Sequence, residues 1–335
     1  MEKVSRRGFL AVTTTAAAAA ALGHQPAKAA VNPWVSRLKV ADQAAVKVLQ
    51  FTDVHFFSGI KKMPTLEKQR RQKTVEHLRQ LLDLAKPDLF VVTGDLWCDN
   101  DGGRGAEYMA FAVEQLSGMG VPWAFTWGNH DQLDDFAAGH KTFAEAKGSL
   151  YAGRESNGNY VVSLESASGE RLAELFCLNT KTGGMDAEAR EFTKSAAKTL
   201  DAAGPRPLRI GAFHIPVRQY QDIWDDGSAR GIIGEDVCFE EEDRSSLPVL
   251  AEAGLKAVIC GHDHVNDYSA VSGGVDLIYG RATGVGGYGD EVVRKGAKLY
   301  TLDPARKAYE WVSLQLDGVK WRPAPDERRD VREKE

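Results

Sequence analysis

"VKVLQFTDVH", residues 46–55, opens as an apolar, β-rich run and ends on an aspartate and a histidine two positions apart. That pattern predicts a buried strand, and leucines and valine at helical spacing over 65–85, before Pro87, predict a helix behind it. The theme returns in "DLFVVTGD" (88–95) with a helical stretch at 104–118, and again in "VPWAFTWGNHD" (121–131). Such alternation implies βαβ units and a largely parallel, layered sheet. The middle changes character: "NYVVSLES" and "LAELFCLNT" flank a Ser/Gly turn and predict an antiparallel hairpin. A helix at 186–203, the strand "LRIGAFH" (208–214), a helix around 241–253 and the strand "KAVICGH" (256–262) follow. More β-structure in "GGVDLIYG", "AKLYTLD" and "AYEWVSLQL" closes the fold, and no internal repeat is visible.

The chain of 335 residues is 43% hydrophobic and 27% charged, the composition of an ordinary soluble globular protein with a sizeable core. Its net charge is −5 and no lysine- or arginine-dense stripe runs along it, so no polynucleotide partner is expected, although a small nucleotide remains open. Four cysteines, Cys98, Cys177, Cys238 and Cys260, show no C-x-x-C spacing, so a zinc knuckle is not indicated. Cys177 and Cys260 lie in apolar runs and are expected to pack as small hydrophobes. Residues 30–45 read as a linker, 46–318 as the folded domain, and 319–335 as a proline-interrupted, solvated charged tail.

The first 29 residues read as an address rather than as fold. "SRRGFL" places Arg6 and Arg7 ahead of an Ala/Thr-rich stretch to Leu22, and Ala27-Lys28-Ala29 offers an A-x-A cleavage site. This resembles a twin-arginine (Tat) export signal. The resemblance implies a mature chain beginning at Ala30, passage through the Tat translocase, and a periplasmic or secreted location. The apolar run is weakly hydrophobic and shorter than the roughly 18 residues a membrane span needs, so no span is expected in the mature chain.

Five segments end an apolar run on residues suited to metal binding: "FTDVH", "VTGDLW", "WGNHD", "AFHIP" and "CGHDH". They carry Asp53 and His55, Asp95, Asn129 to Asp131, His214, and His262 to His264. In an open α/β sheet, ligands gather at the carboxyl ends of strands, so five such ends can converge although they span over 200 residues. Each histidine alone reads as a hydrogen-bonded structural residue; the five segments together read as a ligand set. Carboxylate oxygen combined with neutral imidazole suits Zn, Fe or Mn, whereas Mg or Ca would call for mostly oxygen.

D-x-H, G-D, G-N-H-D, H and G-H-x-H, in that order from about Val46 to Leu316, resemble the calcineurin-like metallophosphoesterase superfamily. "GHDHVNDY" and "YGRATGVGGYG" are similar to its purple acid phosphatase-like subgroup. The resemblance implies an α/β fold, a four-layer α/β/β/α sandwich of mixed sheets, holding two divalent or trivalent transition metal ions. By the family pattern Asp53, His55 and His264 would hold one ion and Asn129, His214 and His262 the other, with Asp95 bridging. A metal-bridging hydroxide would attack a small phosphate ester, and His130 would protonate the leaving group. A phosphomonoester is the first substrate class implied, a phosphodiester the second, and a periplasmic metal-binding module without chemistry the third.

One departure stands out. Many relatives carry an aspartate three residues after the bridging one, where it orients the acid histidine; here Cys98 occupies that place, leaving Asp99 or Asp131 for the task. Asp131 and Asp263 otherwise read as turn or supporting groups, and His77 and His140 as surface residues. Trp97, Trp127, Arg218 and Tyr220 either line the cleft or pack. The loop at 280–289 is either a substrate edge at which Arg281 meets an anion, or a plain strand connection.

Overall fold

Strand-forming runs and amphipathic stretches alternate along the chain as the hydrophobic periodicity demands. The computed structural model describes residues 32–60 and 62–332. The expected export signal at 1–29 and its cleavage before Ala30 lie outside the described residues. In chain order come β1 (Val35–Lys39), β2 (Val46–Phe51), α1 (Pro64–Ala85), β3 (Leu89–Thr93), α2 (Gly105–Ser117), β4 (Trp123–Thr126) and α3 (Phe136–Glu145). The predicted hairpin, β5 (Tyr160–Glu165) and β6 (Arg171–Cys177), is followed by α4 (Ala187–Ala202), β7 (Leu208–Ala212), α5 (Gln219–Asp225), β8 (Arg230–Ile233) and α6 (Ser246–Glu252). The last third holds β9 (Ala257–Cys260), β10 (Asp267–Ser272), β11 (Val275–Tyr279), β12 (Gly296–Asp303), β13 (Ala308–Gln315), β14 (Lys320–Trp321) and β15 (Arg328–Asp330).

These strands form two mixed sheets. One runs β1-β5-β6-β7-β9-β11-β10-β8-β15 and the other β14-β13-β12-β2-β3-β4. The heart of each is parallel: β2, β3 and β4 in the smaller sheet, β6, β7, β9 and β11 in the larger. Successive side chains of a strand point to opposite faces, and the larger sheet uses both. Leu175, Cys177, Ile259 and Ile278 share a core with Val48, Leu49 and Tyr300 of the smaller sheet, while Phe176, Val258, Cys260 and Leu277 pack with residues of α4, α5 and α6. On the outer side of the smaller sheet, Leu78 and Leu81 of α1 and Ala112 and Leu116 of α2 join the first core. The result is the expected α/β/β/α layering of two mixed sheets and six helices. Helix starts are set locally: Pro64 needs no backbone donor at the first turn of α1, and Asp135 and Asp186 accept from the N–H groups of Ala138 and Ala189 at 3.0 and 2.9 Å.

Three expectations are corrected. The stretch expected to be a linker contributes β1, whose Val35 to Lys39 pair in parallel with Val161 to Glu165 of β5. The tail expected to be solvated contributes β14, paired with β13, and β15, paired in parallel with β8. Pairing needs only backbone donors and acceptors, so charged side chains there hid the strands. The helix expected over 241–253 is confined to Ser246–Glu252.

A buried ion cluster ties the sheets together. Asp267 of β10 accepts from the Lys298 ammonium of β12 at 2.6 Å, from Arg281 Nε at 2.8 Å and from the Ser313 hydroxyl of β13 at 2.7 Å. Arg281 is thereby turned inward, away from any anion at the loop edge, which favours the plain strand connection of the two readings of that loop.

Candidate metal centre

Every predicted ligand follows the carboxyl end of a strand in the parallel part of a sheet: Asp53 and His55 after β2, Asp95 after β3, Asn129 after β4, His214 after β7, His262 and His264 after β9. The chain bends sharply there. Asp53, His55, Asp95 and His262 all lie in the left-handed region, with φ of 54°, 49°, 53° and 78°. Such conformations cost of order 1–3 kcal/mol each in a side-chain-bearing residue and persist where the surroundings enforce them. Glycines of the motifs permit close approach: a Cβ on Gly128 would collide with the Asp95 carboxylate, and one on Gly261 with the Thr52 hydroxyl.

The seven side chains converge. Asp53, His55 and His264 form one buried trio and Asp95, His214 and His262 another, with donor atoms in each trio within 4.8 Å of one another. His55 Nε2 and His264 Nε2 face each other at 3.1 Å, as do His262 Nδ1 and His214 Nε2 at 3.2 Å. Asn129 Oδ1 completes the second trio 2.9 Å from His214 Nε2. Asp95 sits between them, its Oδ2 3.4 Å from His55 Nε2 and 3.3 Å from His214 Nε2.

Electrostatics suits this donor set to cations. Burial holds His55 and His262 down to about 4, so both rings present lone pairs at neutral pH. Burial pulls on His214 in the same sense, but the carboxylates of Asp95 and Asp53 outweigh it and raise the ring to about 10. Burial also works to raise Asp53 and Asp95, yet the facing imidazoles hold both carboxyls well below the usual carboxylate range. Two ionised carboxylates beside the neutral rings of His55 and His262, and beside a His214 ring whose proton they hold in place, form a field that a divalent cation satisfies. The residues present therefore fit a pair of transition metal ions, each offered mixed nitrogen and oxygen donors.

Supporting groups settle what the sequence left open. Fully buried Asp131 accepts four backbone N–H bonds: Oδ2 from Asp95 at 2.8 Å and Gly128 at 2.7 Å, Oδ1 from Leu96 at 2.8 Å and Trp97 at 3.2 Å. Burial and the Asp95 charge push its carboxyl up, while the backbone N–H donors favour the ionised form that can accept all four bonds. Asp263 accepts from the Tyr279 hydroxyl at 2.6 Å, and burial raises it to about 7. His130 is 40% exposed at the cleft, and its Nδ1 meets Asp99 Oδ1 at 2.7 Å. Burial lowers its affinity for a proton, while Asp95 and Asp99 raise it by more. Asp99, one residue beyond Cys98, thus takes the orienting position, at a left-handed φ of 61°.

The cleft has a volume of about 450 Å³ and is also lined by Arg70, Cys98, Cys238 and Tyr288, of which Arg70 and Tyr288 were not singled out from sequence. Arg70 was hidden in a helix that read as scaffold. Trp97, Trp127 and Tyr220 are core residues, and Arg218 stacks on Phe239. His140 is buried rather than at the surface, bonded to the Tyr151 hydroxyl at 2.5 Å, and His77 is half-buried.

A binuclear metal site built where two packed sheets meet defines the class: a metal-dependent hydrolase. The model of the calcineurin-like phosphoesterase family matches residues 46–266, and the chain belongs to that family of hydrolases acting on phosphoric esters. An Arabidopsis thaliana protein named probable inactive purple acid phosphatase 28 is 25% identical over 331 residues, spanning 87% of this chain and 83% of the relative. Phosphatase DCR2 of Saccharomyces cerevisiae is 26% identical over 272 residues, 71% of this chain and 47% of the yeast protein. A dimetal phosphatase from Danio rerio shares the fold, with a TM-score of 0.50 at 13% identity over 80% of this chain and 98% of that one.

Proposed function

We propose that the protein is a binuclear phosphomonoesterase that Asp53, His55, Asp95, Asn129, His214, His262 and His264 load with two Fe, Mn or Zn ions. The observation that carries the reading is that Asp95 of one donor trio also lies 3.4 Å from His55 of the other, while His130, held by Asp99, stands exposed at the same cleft. When bound, such a pair of ions supplies a Lewis-acid clamp on phosphoryl oxygens and lowers the pKa of water to near neutrality. Asp53, His55 and His264 would hold one ion and Asn129, His214 and His262 the other, with Asp95 within reach of both. Asp99 keeps a proton on His130 Nδ1, so that Nε2 can pass its proton to the departing ester oxygen. No covalent phosphoenzyme is required.

The same centre would serve a phosphodiester, the second reading, with the cleft walls deciding. A non-catalytic metal-binding role, in keeping with the name of the Arabidopsis relative, is disfavoured by the intact donor set and by His130 at the cleft. Metal-replete protein assayed on aryl mono- and diesters, beside an Asp95→Ala control and elemental analysis, tests all three. Monoester turnover with about two bound ions is expected; no activity above the control refutes the enzyme reading. The twin-arginine stretch supports export by the Tat translocase, after folding and metal loading, to the periplasm or medium. N-terminal sequencing of exported protein should begin at Ala30, and an intact Met1 refutes cleavage. Among the described residues, no helix is long and apolar enough to cross a membrane.

A further inference from the structure

A histidine that ligates a metal usually donates its other ring N–H to a fixed acceptor, which sets ring orientation and tautomer. His214 follows the rule, its Nδ1 lying 2.8 Å from the Thr93 carbonyl oxygen. His264 does not: its Nδ1 is buried, and among the described residues it has no hydrogen-bond partner. Another device holds this ring. The Tyr288 ring stacks on it with centroids 4.1 Å apart and planes 16° from parallel. A Cβ on Gly287 would lie 2.5 Å from His264 Cε1, so the loop backbone presses on the same ring.

Tyr288 is itself fixed at every handle. Its hydroxyl donates to Glu235 Oε2 at 2.7 Å, and Glu235 Oε1 accepts the N–H of Val265, the residue after His264, at 3.1 Å. The Lys295 ammonium donates to the Tyr288 carbonyl oxygen. Arg70 donates to the carbonyls of Val285 at 2.9 and 2.6 Å and of Gly286 at 2.9 Å. Yet Tyr288 is 57% exposed, which a residue placed for core packing would not be.

We infer that Tyr288 is a positioning residue that holds the metal-ligand ring of His264 by stacking, in place of the missing hydrogen bond. The inference rests on the metal-centre reading, and a zinc titration of chelator-stripped protein, followed with a competing chromogenic chelator, separates the two. Wild type should bind two ions. Tyr288→Leu, which removes the plane, should weaken one of them by about 10–100-fold and leave the other. Tyr288→Phe, which keeps the plane and loses the Glu235 bond, should stay within about threefold of wild type. The melting temperature of the metal-free protein should not change in either variant.

Wild type that fails to bind two ions refutes the metal centre itself. Wild type that binds two while Tyr288→Leu binds both as tightly refutes the inference alone. Equal losses in Tyr288→Phe and Tyr288→Leu overturn stacking in favour of the hydroxyl anchor. Loss of both ions alike, or a less stable metal-free Tyr288→Leu, also overturns it, because the ring would then hold the fold rather than one ligand.

Discussion

Replacing Asp131 by asparagine changes one atom and tests whether the bend carrying Asp95 is built by a buried carboxylate. An amide keeps one acceptor oxygen, so at most two of the four backbone N–H groups now bonded to Asp131 remain served. The new NH₂ then faces the remaining pair. Each buried donor left without an acceptor costs about 1–3 kcal/mol, giving about 2–6 kcal/mol for two. At about 1.5 °C per kcal/mol for a chain of this size, the melting temperature should fall by roughly 3–9 °C. One of the four donors belongs to Asp95 itself, whose Oδ1 also accepts from the His130 N–H at 2.9 Å, so Asp95 and His130 shift together. Calorimetry with and without metal, paired with aryl phosphate turnover, reads both effects. A variant melting within about 1 °C of wild type, where two lost donors predict at least about 3 °C, and turning over at the wild-type rate, refutes the reasoning.

His130→Gln should cost about 10²–10³-fold in kcat on alkyl phosphates and much less on 4-nitrophenyl phosphate, whose leaving group hardly needs a proton. Asp99→Asn should show the same leaving-group dependence more weakly with metal content unchanged; equal losses on both substrates would refute the acid assignment. Lys298→Met leaves Asp267 a buried carboxylate short of one cation, so denaturant titration should show a loss of about 3–5 kcal/mol. The metal stoichiometry of that variant should stay the same. Burial and neighbouring carboxylates push the Cys238 thiol up to about 11 and Cys98 to about 12. Because the thiolate is the reacting form and exists only as pH approaches the raised pKa, Cys238 should alkylate at pH 8 about 100-fold more slowly than a free cysteine, and faster as pH rises. Rapid labelling of either residue at pH 8, read by mass spectrometry, would contradict this.

The sequence made the parallel cores legible because their signal is local. "VKVLQF", but for Lys47, and "LFVVT" are buried throughout, and each is followed at once by the residues brought to the cleft. The convergence of Asp53, His55, Asp95, Asn129, His214, His262 and His264 was equally legible, since strand ends in such sheets point one way. What stayed hidden depended on partners far along the chain. β1, "VSRLK", alternates too weakly to declare itself without β5, and β15 is wholly exposed and pairs through backbone alone. Arg281 reads as an anion contact until Asp267 and Lys298 are seen beside it. His140 reads as surface until Tyr151 closes over it.

Each donor trio draws on both sheets: Asp53 and His55 stand on the smaller one and His264 on the larger, Asp95 on the smaller and His214 and His262 on the larger. The chain visits the larger sheet at β1, crosses to the smaller for β2 to β4, returns, and closes the smaller with β12 to β14. No single cut therefore yields a fragment with one complete sheet, and neither donor trio assembles before the two layers dock. On the proposed assignment, loading would come late in folding, after slow, sequence-distant pairings have formed. An ion bound across that seam would act as a rivet between the layers, and chelation should loosen their docking before either sheet frays.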